Sequence, residues 1–200
     1  MSTPTTLPIL SFENETTFEN WLSENHLHST GIWLKIFKKG SKQQTVTYAE
    51  ALDVALCYGW IDGQKNSFNE HAWLQKFCPW GKKSTWSKIN IGHVERLINT
   101  GRMQAKGHKM IDHAKETGSW DQAYDSPSNM TIPDDFLQAL SNNQQAEAFF
   151  KQLNKTNLYA IGFRLQTAKR AETREKHMRE IIEMLENGGK FHWLFVRIII

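Results

Sequence analysis

The chain has 200 residues, of which 40% are apolar and 22% are charged, and its net charge is +3. This composition is typical of a soluble globular protein, and two cysteines, Cys57 and Cys78, are too few for a disulfide-rich secreted scaffold. The sequence lacks a signal peptide's basic and apolar regions and any apolar run of the roughly 18 residues that span a membrane, so we expect a cytoplasmic protein.

The first part of the chain mixes helical and strand patterns. Thr47 and Glu50 form a capping box, which marks the start of a helix, and glycines mark several element ends. The patterns predict these elements in chain order: a helix at 13–25, a strand within 31–39, a helix at 48–57, strands at 60–68 and 72–77, and helices at 87–101 and 104–117.

The second part of the chain is predicted to be helical. Residues 124–133 have the Ser, Pro and Asn content of a linker. Helices are then predicted near 134–141, 143–153 and 156–186, the last with a break at about 167–170. The fold class we expect is α+β, divided as follows: a flexible N-terminus at 1–10, an α+β domain at 11–123, the linker at 124–133, a helical module at 134–192 and an atypical tail at 193–200.

Four segments resemble the YdeI/OmpD-associated, bacteriocin-protection family. They are YAEALDVALCYGWIDG at 48–63, KFCPWGKKSTWSKIN at 76–90, LINTGRM at 97–103 and AKRAETR at 168–174. The resemblance extends from about Phe12 to His192. It implies a bacterial protein linked to resistance against bacteriocins or cationic antimicrobial peptides, with no established catalytic mechanism. It also implies a YdhG-like α+β part followed by a helical module. Trp80 stands where family members usually carry an arginine, and members usually end near His192.

The stretch Tyr58–Ser87 concentrates tryptophans and lysines around one carboxylate, Asp62. A buried aspartate has a raised pKa and can serve as an acid or base. The same residue can instead form an Asx turn or pair with Lys65 or Arg102. Most of the tryptophans are expected to fill the core, because each ring buries roughly 150–250 Å².

Lysines form two clusters without acids, at 35–42 and at 76–88. In the loop 79–88 they alternate with tryptophans and lead into a helix start, a pattern that suits an anion or a stacked base. The alternative is a capping loop with a core Trp86 and solvated lysines. The charged segment at 168–179 is predicted to be helix surface, with partner docking as the alternative.

We therefore expect a binding site between the turn at 59–64 and the loop at 80–88. The candidate ligand-binding residues are Trp60, Asp62, Gln64, Trp80, Lys82, Lys83, Ser84, Trp86 and Arg102. We expect binding of a small or acidic ligand, or of a protein partner, without turnover, cofactor or metal. Nucleic acid bound through the two lysine clusters is a less favoured alternative. The enzymatic alternative uses Asp62 as a general base, with Lys83 or Arg102 holding an anionic substrate.

Overall fold

The computed structural model describes residues 7–81 and 84–191, and within them the chain forms eight helices and a four-stranded sheet. The predicted α+β class is confirmed. The tail at 193–200 and residues 1–6 of the predicted flexible N-terminus lie outside the described residues. The elements are β1 (Ile9–Leu10), α1 (Glu15–Asn25), β2 (Ile32–Phe37), α2 (Tyr48–Cys57), β3 (Trp60–Ser67), β4 (Ala72–Pro79), α3 (Lys88–Asn99), α4 (Ala105–Glu116), α5 (Asp134–Leu140), α6 (Gln144–Phe150), α7 (Lys155–Gln166) and α8 (Ala171–Glu186).

The described residues form two compact units. Unit 1 holds those up to residue 84 together with 90–121, and unit 2 holds 85–89 and 122–191. None of the helices in the described ranges is long and apolar enough to cross a membrane.

The sheet of unit 1 is mixed, with the strand order β1-β2-β4-β3. β2, β4 and β3 are antiparallel neighbours, whereas β1 is parallel to β2 and pairs Ile9 with Trp33. β1 lies inside the range predicted to be a flexible N-terminus. Two residues are too few to show strand alternation, so only their pairing with β2 reveals them.

The two faces of this sheet differ in burial. Side chains alternate between the faces along a strand, and residues paired across antiparallel strands share a face. The core face carries the buried Ile32, Leu34 and Phe77, and the ring of Phe18 from α1 lies 5.9 Å from that of Phe77. The opposite face, here called the outer face, includes the buried Ala72 and Leu74. Among its partly or fully exposed side chains are the five considered below: Trp33, Lys35, Phe37, Phe68 and Lys76.

Local hydrogen bonds fix the predicted starts and turns. Thr47 and Glu50 make both bonds of the capping box at the start of α2, which confirms that helix. In the predicted turn between β3 and β4, the side-chain oxygen of Asn69 accepts bonds from the backbone N–H groups of His71 and Ala72 at 2.9 and 2.8 Å. An Asx-type turn therefore closes the hairpin.

Unit 2 packs helices around its own apolar core. Its fully buried side chains include Phe136, Leu140, Ile161, Ile181 and Leu185. The break predicted near 167–170 is confirmed, because α7 ends at Gln166 and α8 begins at Ala171.

Candidate functional site

Trp60 is part of the core of unit 1. Only 1% of it is exposed, and its indole N–H donates to the backbone carbonyl of His26 at 3.1 Å. Its ring meets that of Trp21 edge-on at 5.9 Å. A buried indole with a satisfied N–H stabilises the fold, so its contribution to a ligand site is to hold the strand that carries Asp62.

Asp62 lies at a β-bulge. Asp62 pairs with Phe77 and Lys65 pairs with Gln75, so β3 carries one extra residue over this interval. The side chain of Gln75, of which 3% is exposed, donates to the carbonyl of Gly63 in the bulge at 2.7 Å. The bulge is therefore held by a buried amide, and the exposed Gln64 lies within it.

The carboxylate of Asp62 is bound by a tyrosine that the sequence did not single out. The hydroxyl of Tyr48, in the first turn of α2, donates to Oδ2 of Asp62 at 2.7 Å. Burial raises the pKa of Asp62, and the bond from Tyr48 opposes part of that rise. Burial, the charge of Asp62 and the same bond raise the pKa of Tyr48. Tyr48 is thus a proton donor that is hydrogen-bonded to Asp62, and burial makes the carboxyl group of Asp62 harder to ionise.

Arg102 is held by a different carboxylate. Its guanidinium forms an ion pair with Glu15 on α1. Its backbone N–H donates to the carbonyl of Leu97 at 3.0 Å, after Gly101 at φ +70° has ended α3. Burial disfavours the charged guanidinium, but the bond to Glu15 outweighs this and raises the pKa of Arg102. The positive charge of Arg102 therefore already has a partner.

The loop residues of the predicted site are distributed over both units. Trp80 is partly exposed, and its backbone N–H donates to the carbonyl of Gly59 at 2.9 Å. Ser84 is exposed. Lys82 and Lys83 lie outside the described residues. Trp86 belongs to unit 2 and is a core residue, because only 2% of it is exposed.

The beginning of α3 is tied to the predicted linker within unit 2. Ser87 forms a parallel bridge with Tyr124, and the ammonium of Lys88 lies 2.7 Å from the carboxylate of Asp125. The ring of Tyr124 packs edge-on against that of Phe163 at 4.7 Å. One lysine of the second cluster is thus an ion-pair partner.

A shallow groove between α7 and α8 is lined by part of the charged segment of unit 2. It encloses about 350 Å³, and Glu180 binds both Arg164 at 2.9 Å and Lys176 at 3.8 Å. These charges neutralise one another, so the groove offers an anion little attraction.

The outer face of the sheet brings together lysines and aromatic rings that the sequence leaves apart. The ammonium of Lys35 lies 4.6 Å from the ring centre of Phe37 and 5.0 Å from that of Phe68. Lys76 is the cross-strand neighbour of Trp33. The alternation in β2 placed three of these residues on one face, but only the pairing with β4 and the hairpin adds Lys76 and Phe68.

None of the five outer-face residues is acidic, and Lys35 lies within cation–π distance of two rings. Aromatic surface and positive charge on one side of a sheet can hold a flat anionic group. Within residues 7–81 and 84–191, no group of three or more His, Cys, Asp or Glu residues is placed to hold a metal ion.

Two family models match the chain. Residues 10–110 match the family described as "Domain of unknown function (DUF8412)", and residues 129–188 match the one described as "Bacteriocin-protection, YdeI or OmpD-Associated". The resemblance to the second family is confirmed, but it covers the C-terminal module and not nearly the whole chain as expected. This match suggests a bacteriocin-protection-type role. No curated protein and no solved structure matched significantly.

Proposed function

Because the chain belongs to the DUF8412 family and its C-terminal module to the YdeI/OmpD-associated family, we propose that it is a bacterial, cytoplasmic protection protein that acts by binding an acidic ligand. The observation that carries the binding proposal is the position of Lys35 over the rings of Phe37 and Phe68 on the outer face. The proposed site therefore differs from the one that the sequence argument placed between the turn at 59–64 and the loop at 80–88.

The positive charge of the outer face favours a negatively charged ligand. Lys35 and Lys76 both lie on it, and Lys38, Lys39 and Lys42 lie within the five residues that follow β2. Like charges across an interface repel, so a cationic bacteriocin is not the ligand of this face. Protection would then act indirectly, through an acidic cellular molecule that the protein holds.

A second candidate function, catalysis with Asp62 as a general base, is favoured by one observation. The bond of 2.7 Å between Tyr48 and Asp62 joins a proton donor to a carboxylate whose pKa burial raises. Such a pair has the parts of a general acid–base site. Arg102 is one of the two cations considered for holding an anionic substrate. It is already paired with Glu15, which makes it less available for that role.

The two functions are separated by a protection assay in cells that lack the gene. The cells are complemented with the wild type, Lys35→Glu, Asp62→Asn or the control Lys169→Glu, and survival is measured against a cationic antimicrobial peptide. Lys169 is an exposed lysine between α7 and α8, so it matches the charge reversal away from the sheet. We expect Lys35→Glu alone to lose protection, with all variants checked for equal abundance and melting temperature.

The opposite result would favour catalysis. If Asp62→Asn loses protection while Lys35→Glu retains it, the binding proposal for the outer face is wrong. If neither substitution changes survival and the wild type protects, both candidate sites are excluded.

A further inference from the structure

We propose that the ligand of the outer face is single-stranded nucleic acid. This inference rests on the proposed function, because it names the class of acidic ligand that the same face binds. The sequence argument kept nucleic acid, bound through the two lysine clusters, as a less favoured alternative. The sheet supplies what loops lack, a rigid surface on which aromatic rings and lysines have fixed spacing.

The spacing along β2 suits a ligand with repeated flat groups. Trp33, Lys35 and Phe37 occupy alternate positions of the strand, so their side chains follow one another at roughly 6.8 Å, twice the rise per residue. Phe68, 44% exposed, adds a ring beside Lys35 and Phe37 at the end of the hairpin. Bases stack on such rings with little regard to sequence, because every base has a π-face.

The charges around these rings suit a phosphate backbone. Lys76 lies across the strand from Trp33, and Lys38 and Lys39 extend the positive charge beyond Phe37. Residues 31–47 contain no acid, and Glu70 is the one acidic residue between 63 and 81. The ammonium of Lys35 lies over the rings of Phe37 and Phe68. When a base stacks on these rings, the flexible lysine stem lets the ammonium swing to a phosphate.

The rings decide between classes of acidic partner. In a duplex the base faces are already stacked on one another, so exposed rings on a sheet gain little from it. An acidic polypeptide or polyphosphate needs the lysines but has no bases to stack. Of these classes, a single strand with unstacked bases is the one that uses both the rings and the lysines.

The test is fluorescence anisotropy of a labelled oligothymidylate of about 20 nucleotides, a length that exceeds the footprint of one small single-strand-binding domain. We expect the full-length protein to bind it more tightly than a duplex of equal length. Phe68→Leu keeps apolar volume but removes the ring face, and Phe37→Ala removes a ring entirely. Each is expected to weaken binding about 5- to 150-fold, the range for one stacked base. The control Leu27→Ala truncates an exposed apolar side chain just after α1 and should leave binding unchanged.

The salt dependence gives an independent readout. Replacing Lys35 and Lys76 with glutamine should lower the slope of log affinity against log salt by about 1.4, because each phosphate contact on a single strand contributes about 0.7. A purely structural role of these lysines would change the melting temperature and leave the slope unaltered.

Failure of this inference can be told apart from failure of the proposed function. If the oligothymidylate does not bind, or binds without dependence on Phe37 and Phe68, the nucleic-acid inference is overturned. The outer-face proposal survives that result if polyphosphate or a polyglutamate peptide binds and Lys35→Glu abolishes the binding. If none of these probes binds in a manner that depends on Lys35, both proposals are wrong.

Discussion

Replacing Tyr48 with phenylalanine tests how the partly buried Asp62 is held in unit 1. The substitution removes one oxygen, which donates to Oδ2 of Asp62 at 2.7 Å, and leaves the ring 6.1 Å from that of Trp73. Packing should therefore be preserved while the carboxylate loses its hydroxyl partner. The variant isolates the hydrogen bond better than an alanine would.

The expected cost depends on the charge of Asp62. A hydrogen bond to a charged group contributes about 1.5–3 kcal/mol and a neutral one about 0.5–1.5 kcal/mol. Tyr48 is 38% exposed, so water replaces part of the lost bond and the lower end of each range applies. We expect Tyr48→Phe to reduce the free energy of unfolding by about 1.5 kcal/mol at pH 7 and by about 0.5 kcal/mol near pH 3.

The pH dependence has a definite sign. Burial raises the pKa of folded Asp62 above its ordinary value of 3.8. The contribution of Asp62 to the free energy of unfolding is therefore fully present at pH values below its ordinary pKa. This contribution is lost as the pH rises through the pKa of the folded protein. The bond from Tyr48 favours the ionised form and reduces the loss. Tyr48→Phe removes this compensation, so its cost should grow as the pH rises.

Urea denaturation at both pH values measures this cost, with Asp62→Asn and the double variant completing a thermodynamic cycle. The coupling between the two positions should be larger at pH 7 than near pH 3. Asparagine carries no charge, so Asp62→Asn should remove the pH dependence at this site. A cost of Tyr48→Phe that is equal at both pH values, or zero coupling at pH 7, would refute the account.

Three further substitutions test the backbone features of unit 1. Gln75→Leu should cost about 1–3 kcal/mol in urea denaturation, because it leaves the carbonyl of Gly63 without its buried donor; an unchanged midpoint would contradict this. Gly107→Ala should cost about 1–3 kcal/mol or more, since the new Cβ would lie 2.5 Å from the backbone oxygen of Cys57. A melting temperature equal to that of the wild type would show that α4 shifts to relieve this contact at no cost. Asn69→Ala should cost about 1 kcal/mol through loss of the hairpin turn, whereas Asn69→Asp keeps the acceptor and should restore most of it.

The sequence determined those parts of the structure that short-range hydrogen bonds and periodicity control. The capping box of Thr47 and Glu50 is closed over three residues, and it fixed the start of α2 at the predicted position. The hairpin between β3 and β4 was predictable because its turn is closed within the residues around Asn69. The break between α7 and α8 was also predicted from the sequence, at 167–170.

The candidate site was harder to predict because its contacts join distant residues. Tyr48 and Asp62 are 14 residues apart, and although both lie in the segment 48–63, nothing in that segment shows that their side chains bond. The tryptophans drew attention in the sequence, yet Trp60 and Trp86 are buried. Large rings are the most conspicuous residues of a sequence and also the ones that a core most readily absorbs.

By itself the sequence determined the α+β class, the order of the helices and the kinship of the C-terminal module, since these depend on local patterns and motifs. Only the tertiary structure decided the strand order, the bulge at Gly63 that Gln75 holds, and the meeting of Lys35 with Phe37 and Phe68 on one face. Strand pairing brings together residues from separate parts of the chain, and its energy comes from contacts between them. The sequence of one segment therefore does not show which other segment it will pair with.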